Sequence, residues 1–212
     1  MVKSSEDHTA ATRSRLAEVV CDLIAERGMK AVSVRAVATA AGVSIGAVQY
    51  HFPTKEALLL AGHEHADAEV SARADAAAAH LEDPRDILRA VLLSLLPTDE
   101  ASRRIMTVFI VFETAALHSV ELAENARRSD DELYRAFTEV FRLAGVAEPR
   151  REAIASIALV GLCQPLLMRD PNCSLEDAIA VIDAHLDRVL PGRVRVEGSS
   201  DLCGGSGWLD PA

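Results

Sequence analysis

The residues best equipped for chemistry lie together between Ser33 and Lys55, in the stretch SVRAVATAAGVSIGAVQYHFPTK. Their side chains suit recognition of a nucleic acid better than bond-breaking. Gln49 carries an amide that donates and accepts at once, the pairing that matches the major-groove edge of adenine. Ile45 and Ala47 offer methyl groups suited to the methyl of thymine. Tyr50, His51 and Lys55 carry donors suited to phosphate, which fixes register without reading sequence. Arg35 either reaches phosphate or lies along the surface with its head in water. No Asp or Glu occurs in the stretch, so nothing within it repels a polyanion.

Such side chains act only if short local elements hold them outward. Ser33 is a good N-cap for a short helix ending near Ala41, and Gly42 supplies a turn through its access to positive φ. Ser44 caps a second short helix that ends at Phe52, where Pro53 removes an N–H and pushes its predecessor out of the α region. Val37, Val43, Val48 and Phe52 are expected inward. Ser44, Ile45, Gly46, Ala47, Gln49, Tyr50 and His51 are then left outward. Lys55 begins a further helix, capped by Thr54, beside free backbone N–H groups that attract anions. Two helices this short need a prop. It is predicted from about Thr9 or Thr12 to Arg27, with Leu16, Val19, Val20, Leu23 and Ile24 on one face and Gly28 as its stop. The arrangement reads as a helix-turn-helix, whose second helix enters the major groove.

Further along, Asp83-Pro84 opens a helix that Pro97 closes, Thr98 starts another, and the chain from Val120 to Ala144 continues helical up to Gly145. Glu148-Pro149 opens a helix to about Met168, and Ser174 with Asp177 forms a capping box before Leu175–Leu190. The expectation is an all-α chain of about nine helices. A helix-turn-helix domain is expected over 1–55 and a second helical domain over 56–190. A disordered, Gly- and Ser-rich tail spans 191–212.

Charge follows the same division. Of the 212 residues, the first 55 hold seven basic and five acidic side chains, a balance of +2, whereas the whole chain carries −10. A mildly basic head on an acidic body suits a head that meets a polyanion. The four cysteines are scattered without a CxxC pair, which argues for a reducing compartment and against a disulfide framework or zinc site. The N-terminus lacks the apolar core of a signal peptide, and the nearly apolar run Ile154–Cys163 is too short for a bilayer. A cytoplasmic protein without membrane contact is expected. His63-Glu64-His65 is no metal pair, because helical residues two apart face different ways. There is no phosphate loop, nucleophile elbow or carboxylate pair, so no catalysis, cofactor or metal is expected.

The segment Gly28–Leu58, GMKAVSVRAVATAAGVSIGAVQYHFPTKEAL, resembles the DNA-binding segment of the TetR family of transcriptional regulators. It has the glycine after the first helix, the serine cap, the VA..AGVS run, the aromatic-His-Phe triplet and the following lysine. It departs from the family at Gln49, where tyrosine is commoner, and at Ile45, where lysine is frequent. Whether Gln49 or Tyr50 takes the phosphate-contact role stays open. The stretches FIVFETAALHSVELAENARRSDDELYRAF and GLCQPLLMRDPNCSLEDAIAVIDAHLDRVL are similar to the C-terminal domain of the BetI-like branch.

The resemblance implies a repressor that binds palindromic operator DNA as a homodimer and answers to an unidentified small-molecule effector, with 56–190 as its ligand-binding and dimerisation domain. Ile154, Ile157, Ala158, Gly161, Leu162, Ile179, Ile182 and Leu186 are its candidate dimer residues, the alternative for that stripe being intrachain core. Phe109, Phe112, Glu113, His118, Tyr134, Phe137, Cys163 and Met168 are candidates for lining an effector cavity, with packed core as the alternative. A second functional reading keeps the fold and replaces the effector with a protein partner or an architectural role on DNA.

Overall fold

Capping chemistry sets most of the helix boundaries in the computed structural model, which describes residues 3–191. The disordered-tail expectation for 191–212 falls, apart from Pro191, outside the described residues, as do Cys203 and Trp208. Nine α-helices and no strand occur among the described residues. They are α1 (Lys3–Arg27), α2 (Val34–Ala41), α3 (Ile45–His51), α4 (Lys55–Ala78), α5 (Pro84–Ser94), α6 (Glu100–Ala116), α7 (Val120–Leu143), α8 (Pro149–Arg169) and α9 (Leu175–Val189). A 3-10 turn, Met29–Ala31, precedes α2.

The hydroxyl of Ser33 accepts from the Ala36 amide, that of Ser44 from Ala47 and that of Thr54 from Ala57, each at 3.1 Å. Asp83 accepts from Arg85 and Asp86 at the start of α5, with Pro84 at its first position. Ser174 and Asp177 form a reciprocal capping box on α9. Two boundaries differ from expectation. α1 begins at Lys3 rather than at Thr9 or Thr12. α6 is capped by Asp99 rather than Thr98, because the Asp99 carboxylate accepts from the Ser102 amide at 2.7 Å while the Ser102 hydroxyl accepts from the Asp99 amide at 2.9 Å.

The chain divides into two compact units, and the divisions fall inside α4, α6 and α7. The first unit holds the chain up to Glu69 together with Arg104–Ala126. In it α1 packs on α2 and α2 on α3, around Leu16, Val20, Ile24, Val37, Val48, Phe52 and Leu58. Arg104 on α6 reaches Asp22 of α1 at 2.7 Å and Glu69 of α4 at 2.9 Å. The second unit holds Val70–Arg103 and the chain from Arg127 onward. Its core draws Leu88 and Leu92 from α5, Phe137 and Phe141 from α7, Val160 from α8, and Ile182 and Leu186 from α9. Arg89 clamps Asp183 with two bonds, at 2.6 and 2.9 Å, and Arg85 pairs with Asp187.

At 21 residues and with a mean hydropathy of 1.3 in its most apolar window, α8 meets the length and composition of a bilayer span, which the short run Ile154–Cys163 did not suggest. It is two-faced, however. Glu152, Ala153, Ser156, Val160 and Cys163 are buried within the second unit, and the exposed apolar side chains Ile154 and Leu162 lie elsewhere on it.

Candidate nucleic-acid interface

α3 is a short rod fixed by two anchors. Val48 and Phe52 are fully buried, and Val37, Ala38 and Ala41 of α2 are buried too. Gly42 joins the rods at φ +68°, a left-handed conformation that costs glycine little, and its neighbour Val43 donates to the Ala38 carbonyl at 3.0 Å. Anchoring one side of α3 leaves the other to solvent. Tyr50 is 78% exposed and Ile45 49%. Ser44, Gly46 and Gln49 are also exposed, while Ala47 and His51 are half-buried. The His51 ring meets the Tyr50 ring edge-on at 5.1 Å. A Cβ built on Gly46 would meet nothing nearer than the Ser44 hydroxyl at 3.9 Å, so nothing inside the chain demands glycine there.

Ser33, Arg35 and Lys55 are exposed. The structure thus leaves Ile45, Gly46, Gln49 and Tyr50 of α3 exposed together with its N-cap Ser44, and puts Lys55 in the first turn of the next helix. Two basic residues of α1 escaped the sequence reading. Arg15 donates to the Ala41 carbonyl at the end of α2, at 3.2 Å, and Arg13 donates to the His51 carbonyl at the end of α3, at 3.5 Å. Neither contact leaves a local signal, since the partners are 26 and 38 residues away in sequence.

The candidate effector residues differ in burial. Phe112 and Phe137 are fully buried core, and Cys163 is buried. Phe109, Tyr134 and Met168 are half-buried. Glu113 and His118, expected as the polar groups of a cavity, are exposed on the surface instead, because they occupy the outer face at the end of α6 and the turn after it. The buried histidine of the first unit is His63. It is 2% exposed, its ring lies 4.2 Å from Phe112 and 5.2 Å from Phe109, and its Nδ1 is 3.1 Å from Asp67. Asn125 is buried as well, with no hydrogen bond to its Oδ1.

Among the dimer candidates, Ile154, Ala158, Gly161 and Leu162 are exposed and Ile157 and Ile179 half-buried. Ile182 and Leu186 are corrections: both are wholly buried in the core of their own unit, since the inward stripe of α9 packs on α5 and α8. Val181, 47% exposed, and Leu175, 39%, are apolar surface on that helix in their place. No group of three metal-binding side chains occurs among the described residues. Burial pushes the Cys21 thiol up to about 12, with the Arg104 charge opposing, so the thiol stays protonated near neutral pH.

Comparison with known proteins agrees with this geometry. Residues 84–191, half of the chain, match the family described as BetI-type transcriptional repressor, C-terminal, and residues 18–61 match bacterial regulatory proteins, tetR family. The regulator PksA of Bacillus subtilis is 32% identical over 110 residues, a match covering 52% of this chain and only 54% of PksA. BetI of Paraburkholderia phytofirmans is 27% identical over 190 residues, covering 85% of this chain and 94% of BetI. A crystal structure of a transcriptional regulator from Rhodococcus sp. Rha1 superposes with a TM-score of 0.77 at 31% identity, covering 85% of this chain and 97% of that one. These relatives are regulators, not enzymes. The chain belongs to the tetR family of DNA-binding transcriptional regulators, with a C-terminal region of the BetI type.

Proposed function

We propose that this chain is a transcriptional repressor that lays α3 in the major groove of an operator. The observation that carries the reading is the exposed face of α3, free of acidic residues and flanked by Lys55. Gln49 reads a base edge, Ile45, Gly46 and Ala47 allow close approach, and Ser33, Arg35, Ser44, Tyr50, His51 and Lys55 meet the backbone. One such rod covers a single half-site, so a two-fold dimer supplies the second. The exposed apolar side chains Ile154 and Leu162 on α8, with Ala158 and Gly161, and Val181 on α9 support that pairing. A small molecule that prefers one of two conformations shifts the population between operator-bound and released protein. In the first unit His63, between two phenylalanine rings, and Asn125 are the buried polar groups suited to sense it. Wherever the protein acts, its work is in the compartment that holds the chromosome.

Binding to duplex DNA tests this reading through its salt dependence. Affinity should fall steeply and linearly on a logarithmic plot as salt rises, and Lys55→Ala should make the slope shallower by about one. An association indifferent to salt would contradict phosphate-anchored docking.

A further inference from the structure

Arg13 and Arg15 are basic residues near a face proposed to meet DNA, and the plain expectation for both is a phosphate contact. Their actual partners are protein groups at two helix ends. Arg15 holds the carbonyl of Ala41, the last residue of α2, at 3.2 Å. Arg13 holds the carbonyl of His51, the last residue of α3, at 3.5 Å. The Arg13 guanidinium carbon also lies 4.7 Å from the centroid of the Phe52 ring, and its Nη2 is 3.9 Å from the Glu64 carboxylate on α4. The last carbonyls of a helix lack intrahelical partners and carry the negative end of its dipole, so a cation there is favoured twice. A flat guanidinium can stack on a ring and donate sideways together, and an ammonium cannot.

We infer that Arg13 and Arg15 are positioning residues for sequence recognition: from α1 they pin the C-terminal ends of both short helices and so set the angle at which α3 presents Gln49 and its neighbours. The inference rests on the DNA-binding reading above. It has a signature of its own. A phosphate contact adds affinity for every sequence, whereas a residue that aims the rod adds discrimination at all the bases the rod reads.

The experiment is selection from a random-sequence duplex pool, using full-length wild type, Arg13→Lys, Arg13→Ala, Arg15→Lys and, for contrast, Gln49→Ala. Wild type should enrich one pattern. Arg13→Lys and Arg13→Ala should each bind the enriched duplex about tenfold more weakly. They should flatten the preference at every position of the half-site together, and keep wild-type affinity and salt slope on a random-sequence duplex. Arg15→Lys should do the same, while Gln49→Ala flattens one position only. Retention of the wild-type pattern in Arg13→Lys and Arg15→Lys would overturn the inference. So would a salt slope shallower by about one in Arg13→Ala with the pattern intact, the mark of a phosphate contact. Should the alanine variant fail to fold, the two lysine variants carry the decision. If wild type itself enriches no pattern, the DNA-binding reading falls and the inference with it, an outcome distinct from the variants keeping the pattern.

Discussion

A glycine inside a seven-residue helix is a cost that some other need must offset. Gly46 lies in the first turn of α3, and the chain around it leaves room for a methyl group. Alanine is the better helix former by up to about 1 kcal/mol, so Gly46→Ala should raise the melting temperature. It should also weaken DNA binding, because the added methyl points where the duplex approaches. Thermal melting and a binding titration on one preparation check both halves. A variant that gains stability and binds as before would mean that the start of α3 stays away from the bases. The same separation of roles applies along the helix: Val48 and Phe52 are buried in the fold, and Gln49 and Tyr50, both turned to solvent, are left for the proposed partner.

Between helices, close approach replaces exposure as the governing quantity. A Cβ at Gly62 would stand 2.7 Å from the Val20 methyl, and Val20 is wholly buried with little room to yield. The Cys21 thiol donates to the Gly62 carbonyl at 2.9 Å across the same crossing of α1 and α4. Gly62→Ala should therefore cost about 1–3 kcal/mol in chemical denaturation. An unchanged midpoint would show that the two helices cross less closely.

His185 meets the Ser156 hydroxyl at 2.9 Å through Nε2 and Arg188 at 3.1 Å through Nδ1, and the Ser156 hydroxyl donates to the Glu152 carbonyl. The bonds fit a neutral ring that donates from Nε2 and accepts at Nδ1. Burial first, then the Arg188 charge, hold the His185 pKa below its ordinary 6.5, with Glu152 opposing. The unfolded ring takes up its proton first as pH falls, so the His185 contribution is complete above that ordinary value and is lost as pH falls through the lower folded one. Denaturation midpoints should fall on going from about pH 7 to about pH 5.5, and His185→Gln should flatten that fall. A slope equal to wild type would mean that another group carries it.

These helices also show what a sequence discloses. Caps at Ser33, Ser44, Thr54, Asp83 and Ser174 were legible because a cap is a transaction among residues two or three apart. Ser102 answers Asp99 just as locally, three residues on. Arg13 on His51, Gly62 under Val20 and Arg104 between Asp22 and Glu69 were hidden, since each joins helices far apart in the chain. The apolar spacing of α9 marks a stripe, yet spacing cannot say which partner covers it, and Ile182 and Leu186 face their own core.

For the whole molecule the question is how a chain of charge −10 binds a polyanion at all. The first 55 residues hold seven basic and five acidic side chains, and the acidic surplus lies beyond them. Repulsion by the body costs affinity everywhere on a chromosome alike, so the proposed function places discrimination in the α3 rod and the aim given to it. The central claim is that α3 occupies the major groove, once per subunit of a two-fold pair. Footprinting on the duplex enriched by wild type, with and without methylation of guanine N7, tests this most directly. The account predicts two protected half-sites about one helical turn, or a whole multiple of it, apart, with methylation in the major groove abolishing protection. A footprint indifferent to N7 methylation, or no protected stretch at all, would contradict it.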